Sequence, residues 1–83
     1  MRIPRDIGAE ELITLLRRYQ YRETRQTGSH IRLTTVSGGE HHLTIPRHKP
    51  LRVGTLHAIL GDIADHFGTS LEKIAEELFS KHP

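Results

Sequence analysis

The spacing of apolar residues changes along this chain, and each change marks an element. From Gly8 to Gln20 they recur every three or four positions: Leu12, Leu15, Leu16 and Tyr19, with Ile13 alongside. Glu10, Glu11, Arg17 and Arg18 fall on the opposite side. That period predicts an amphipathic helix over Ala9–Gln20, with acids in its first turn and arginines in its last, as the helix dipole favours. Between Tyr21 and Ile45 the period drops to two. Tyr21–Thr27 has few apolar residues but several strand formers. His30–Thr35 sets Ile31 and Leu33 against His30, Arg32 and Thr34, and His41–Ile45 sets Leu43 and Ile45 against His42 and Thr44. These runs predict three strands joined by turns at Gly28-Ser29 and Ser37-Gly38-Gly39-Glu40, with Pro46 ending the ladder. Helical spacing returns at Gly54 with Leu56, Ile59, Leu60, Ile63 and Phe67; Thr55 is the expected N-cap and Gly68 the expected residue past the end. Thr69-Ser70-Leu71-Glu72 has the form of a capping box. It opens a third helix to about Ser80, with Leu71, Ile74, Ala75, Leu78 and Phe79 as its stripe.

A helix, a three-strand meander and a second helix imply a sheet with one apolar face that the helices cover. The fold class is therefore α+β: a three-stranded antiparallel sheet in the α-β-β-β-α order of the double-stranded RNA-binding domain, with an additional C-terminal helix. Residues 1–83 read as a single domain, with a core over 8–68 and a helical extension over 69–83. Met1–Asp6 reads as an irregular lead-in.

Composition narrows the chemistry. The 83 residues contain no cysteine, which removes disulfides, thiolate metal sites and thiol nucleophiles. The apolar runs are at most three residues long, so neither a membrane span nor a secretory leader is expected, and a cytoplasmic location is the simplest reading. The net charge of +2 is unevenly spread. Residues 1–52 hold ten Lys/Arg against five Asp/Glu, a balance of +5, whereas residues 53–83 hold two against five, a balance of −3. Nine of the ten basic residues in the first part are arginine, whose planar fork suits phosphate oxygens. A basic front and an acidic back point to a polyanion contacted through the first part.

The candidate chemistry centres on Gln26-Thr27-Gly28-Ser29-His30-Ile31. Gly28 takes positive φ without steric cost and Ser29 can bond the local backbone, so a tight turn delivers His30 as the first side chain of the next strand. A side chain there is held by the sheet yet open to solvent, and an imidazole can exchange a proton near neutral pH. Pro46-Arg47-His48-Lys49-Pro50-Leu51-Arg52 forms a basic loop between two prolines.

Two of these stretches together resemble the HicA-type (YcfA-like) toxin family. Gln26-Thr27-Gly28-Ser29-His30 is similar to its x-G-S-H signature. Ile45-Pro46-Arg47-His48-Lys49-Pro50-Leu51-Arg52-Val53-Gly54-Thr55-Leu56 is similar to its V-P-x-H-x-x-L-x-x-G-T-L stretch, and Ala58-Ile59-Leu60 matches the x-I-L that follows. The resemblance covers about residues 8–65. It implies a ribonuclease that cleaves mRNA as the toxin of a toxin–antitoxin pair, restrained by a HicB-type antitoxin. It also implies that His30 is the catalytic histidine, framed by Gly28 and Ser29. Ile31 departs from the second histidine or aromatic that often follows in the family, and Thr69–Ser80 lies beyond its shorter members.

That implied chemistry needs no metal or other cofactor, because the 2′-hydroxyl of RNA is an internal nucleophile. His30 would serve as acid or base, and Arg25, Ser29, Arg32, Arg47, His48 and Lys49 would contact the RNA and offset charge at phosphorus. Rival readings remain. Ile63–Ala75 has the spacing of a DNA-binding helix-turn-helix, but its second helix carries Glu72, Glu76 and Glu77, so no specific DNA binding is expected. His41 and His42 alternate across a strand and cannot readily chelate one ion. A non-catalytic RNA-binding or protein-interaction module of the same fold is the main alternative.

Overall fold

A computed structural model describes residues 3–80. Its elements, in chain order, are α1 (Ala9–Leu16), a 3-10 turn (Arg17–Tyr19), β1 (Arg22–Thr27), β2 (His30–Thr35), β3 (His41–Pro46), α2 (Val53–Phe67) and α3 (Leu71–Phe79). Of the expected lead-in, Ile3–Asp6 carry neither helix nor strand, while Met1 and Arg2 lie outside the described residues, as do residues 81–83 of the extension. The α+β architecture is as expected: an antiparallel sheet of order β1-β2-β3 with helices on one face and one additional helix at the end.

Alternation divides β2 and β3 cleanly. Ile31, Leu33 and Thr35 of β2, with Leu43 and Ile45 of β3, are buried against Leu12, Leu16, Leu56, Leu60 and Ile63 from α1 and α2. α3 packs on α2 and adds Ile74, Ala75 and Leu78 to the same core. β1 differs: all six of its residues are exposed, so it is held by its ladder to β2 rather than by burial. The pairing shifts between Glu23 and Arg25, a bulge at Thr24 whose hydroxyl bonds that of Thr34 at 2.9 Å.

Three boundaries differ from the sequence expectation. The first helix does not run to Gln20. Gln20 adopts φ 65°, its N–H bonding the Arg17 carbonyl and that of Tyr21 the Leu16 carbonyl. This pair of bonds is a Schellman motif, here with glutamine in the left-handed position that usually takes glycine. Gly68 ends α2 the same way, with φ 66° and Thr69 N–H on the Ala64 carbonyl. Because Thr69 is held in that terminator, the cap of α3 moves one residue on: Ser70 Oγ accepts from Lys73 N–H at 3.1 Å. Finally, α2 begins at Val53 with Arg52 as a cap that makes no side-chain bond, and Thr55 lies inside the first turn.

Candidate active site

The open face of the sheet is built by the same alternation that builds the core. Residues directly opposite across a ladder share a face, and the pairs are Arg25 with Arg32, Thr27 with His30, and Arg32 with Thr44. Arg25, Thr27, His30, Arg32 and Thr44 therefore line one hollow of about 210 Å³. The core fixes this arrangement. A slip of one residue in β2 would expose Ile31 and Leu33 and bury His30 and Arg32. Each such aliphatic burial is worth about 1.5–3 kcal/mol, so the register that places His30 is strongly favoured.

The turn before His30 takes the expected form, with Gly28 at φ 49°. Ser29 Oγ lies 3.3 Å from His30 Nδ1, which leaves Nε2 as the ring nitrogen free to meet a ligand. His30 is exposed, and Arg25 of β1 and Arg32 of its own strand line the same hollow. The arrangement can exchange a proton beside a concentrated positive charge, which suits a phosphodiester.

The basic loop goes elsewhere. Arg47, His48 and Lys49 line a second hollow, of about 360 Å³, with Gly8, Ala9, Glu10 and Glu11 at the start of α1. Ala9 N–H donates to the His48 carbonyl at 3.0 Å, and Leu51 N–H to the Ile7 carbonyl at 2.8 Å. Arg47 Nη1 donates to Glu10 Oε2 at 2.6 Å. The structure thus gathers Arg25, Ser29, His30 and Arg32 and sets Arg47, His48 and Lys49 apart, joined to them through a backbone bond from Arg47 N–H to the Ser29 carbonyl at 2.6 Å. A further hollow of about 470 Å³, lined by Ile13, Arg17, Gln20, Tyr21, Arg22 and Glu23, is larger but brings no imidazole, so size does not choose the site.

Thr27 and Thr44 line the same hollow as His30, although neither is a site candidate from the sequence. Counting back from the Gly28-Ser29 turn puts Thr27 opposite His30, whereas counting out from Ser37–Glu40 would put Ile45 opposite Arg32. Val36 joins that connection, so Thr35 faces His41 and Thr44 faces Arg32. His41 and His42 lie on opposite faces of β3, as their alternation predicts, but the cluster that His41 joins has no signal in the sequence. His41 turns to the core side, where Nδ1 meets the Tyr21 hydroxyl at 2.7 Å and Nε2 meets Asp62 Oδ1 at 3.2 Å. His66 stacks on it with ring centres 4.4 Å apart and bonds the Ser37 carbonyl through Nε2 at 2.8 Å. Burial, then the nearby Asp62 carboxylate, raises the Tyr21 hydroxyl above its ordinary pKa. His42 turns to the open side, between Thr34 Oγ1 at 2.8 Å and Glu40 Oε2 at 2.8 Å. Among the described residues no three His, Asp or Glu side chains gather as a metal site, and no helix is long and apolar enough to cross a membrane.

A family model described as HicA toxin of bacterial toxin-antitoxin matches residues 9–64, from the first residue of α1 to Ala64 near the end of α2. No curated protein and no solved structure gives a significant match.

Proposed function

We propose that this chain, which belongs to the HicA toxin family of bacterial toxin–antitoxin systems, is an endoribonuclease that cleaves mRNA with His30 as its acid or base. The observation that carries the reading is the hollow on the open sheet face, which His30 shares with the facing pair Arg25 and Arg32. In such a reaction the 2′-oxygen attacks phosphorus, the bond to the 5′-oxygen breaks, and a proton moves from the first oxygen to the second. His30 Nε2 is free to take the first proton or to supply the second. Ser29 Oγ on Nδ1 holds the ring, and as a hydroxyl it can donate to Nδ1 or accept from it as the ring changes protonation. Arg25 and Arg32 offset the charge that grows on the phosphoryl oxygens, with Thr27 and Thr44 as hydroxyl partners. His48 and Lys49 extend the basic surface towards the flanking nucleotides. The reaction of the RNA with itself asks for no metal or cofactor.

Family membership implies an antitoxin partner. In this reading the partner is a HicB-type protein whose acidic groups cover the open face and shut RNA out. The acidic exterior of α3, with Glu72 and Glu76 exposed, speaks against DNA binding by this chain alone.

The test compares wild type with His30→Ala on purified RNA, with folding followed by circular dichroism. Loss of general acid–base catalysis is expected to slow cleavage by about 10²–10⁴ while the fold is kept. A folded His30→Ala that cleaves as fast as wild type would overturn the reading. Binding of RNA by both proteins without cleavage would replace it with a non-catalytic RNA-binding module.

A further inference from the structure

We propose that Arg47, held by Glu10, is a positioning residue that latches the turn carrying His30, and not a contact to RNA phosphate. The inference rests on the reading of His30 as the reacting group. Pro46 lies opposite His30 at the end of the β2–β3 ladder. Alternation then turns the next residue to the helix side of the sheet, away from the open face. The Arg47 side chain follows that direction and ends on the Glu10 carboxylate in the first turn of α1, at 2.6 Å. Its charge is matched there by a carboxylate, so it adds little attraction for phosphate.

The Arg47 backbone faces the opposite way. Its N–H donates to the Ser29 carbonyl at 2.6 Å, one residue beyond the paired strands. Ser29 Oγ in turn meets His30 Nδ1 at 3.3 Å. One residue thus ties the start of α1 to the turn that frames the imidazole, and the bond from Ala9 N–H to the His48 carbonyl joins the same loop to α1. Releasing the Arg47 side chain loosens the loop against α1 and, through it, the Ser29 carbonyl. The consequence is a His30 ring whose orientation is less well fixed.

The full chain carrying Glu10→Gln, Arg47→Ala, both together, or the exchanged pair Glu10→Arg with Arg47→Glu provides the test. Three quantities are measured: single-turnover cleavage of an RNA oligonucleotide, affinity for that RNA across salt concentrations on a His30→Ala background, and the ¹⁵N resonances of the His30 imidazole. A latch is expected to show each single variant slowing cleavage by about threefold to fivefold, the scale on which a surface ion pair acts. The double variant should be no slower than the singles, the exchanged pair should recover most of the rate, and affinity and salt slope should not change. The His30 ring resonances should move in the single variants and return in the exchanged pair.

A lower affinity for Arg47→Ala, with the salt slope reduced by about one, would make Arg47 a phosphate contact and overturn the latch. Unmoved ring resonances in both single variants would overturn it as well. Glu10 is exposed, so Glu10→Gln reads out the latch even where Arg47→Ala fails to fold. The resonances do not depend on cleavage: a wild type that cuts no RNA sinks the proposed activity, while the ring signals still decide the latch.

Discussion

Thr35 is a buried polar side chain in the core, 1 % exposed, and both of its hydroxyl bonds are made. Oγ1 donates to the Tyr19 carbonyl at 2.8 Å and accepts from Ser37 N–H at 3.1 Å. It thereby ties the 3-10 turn after α1 to the start of the β2–β3 turn. Valine has the same shape but would leave that carbonyl and that N–H without their partner, and such losses cost about 1–3 kcal/mol. Thr35→Val is therefore expected to lower stability by about 2 kcal/mol in urea titration, well above the change for a typical surface substitution. The same logic explains why β2 reads so well in the sequence. Ile31 and Leu33 alternate with His30 and Arg32, and Thr35 keeps the period as a polar residue whose bonding groups come from other segments.

At the scale of elements, most of the fold was legible because most elements carry an apolar stripe. Leu12 and Leu16 mark α1, Leu43 and Ile45 mark β3, and Leu56, Leu60 and Ile63 mark α2. The ends were less legible because they rest on backbone hydrogen bonds. Gln20 gives no sign that it will take a left-handed conformation, and Thr69 looks like a cap until the Gly68 terminator holds it. The two candidates for the α3 cap separate in one comparison. Ser70→Ala should cost about 1 kcal/mol, whereas Thr69→Ala should stay within about 0.5 kcal/mol, as read from thermal midpoints. A larger loss for Thr69→Ala would return the cap to the capping-box position. The site shows the same division. His30, Arg25 and Arg32 followed from one turn and two strands, but the pairing of Arg47 with Glu10 joins residues from a loop and a helix. No spacing in the chain announces it.

At the scale of the whole molecule, two tyrosines fasten layers together at the edge of the core. The Tyr19 hydroxyl bonds the Glu77 carboxylate of α3, and the Tyr21 hydroxyl bonds His41, which reaches Asp62 of α2. Both hydroxyls are pushed above their ordinary pKa. For Tyr19 burial is the main cause, followed by the bond to Glu77 and its charge, with Arg18 acting against them. For Tyr21 burial again leads, followed by Asp62. The folded state favours the neutral phenol more than the unfolded chain does, so this stabilisation is complete below the unfolded value of about 10 and is lost as pH rises above it. The thermal midpoint should therefore fall from about pH 10 upward. In the variant Tyr19→Phe with Tyr21→Phe the alkaline fall should be shallower. An unchanged slope in that variant would mean that other groups drive the alkaline loss.

β1 is the strand that contributes no side chain to the core, and it lies along one border of the site. Its six positions can change without disturbing the packing that folds the chain, while Ile31 and Leu33 next door cannot. Mutation therefore explores the two strands at different speeds. His30 and Arg32 ride on the strand that is slow to change, and Arg25 and Thr27 beside them ride on the one that is quick. A lineage built this way can revise one border of the hollow, and whatever meets it there, without rebuilding the strand that carries His30.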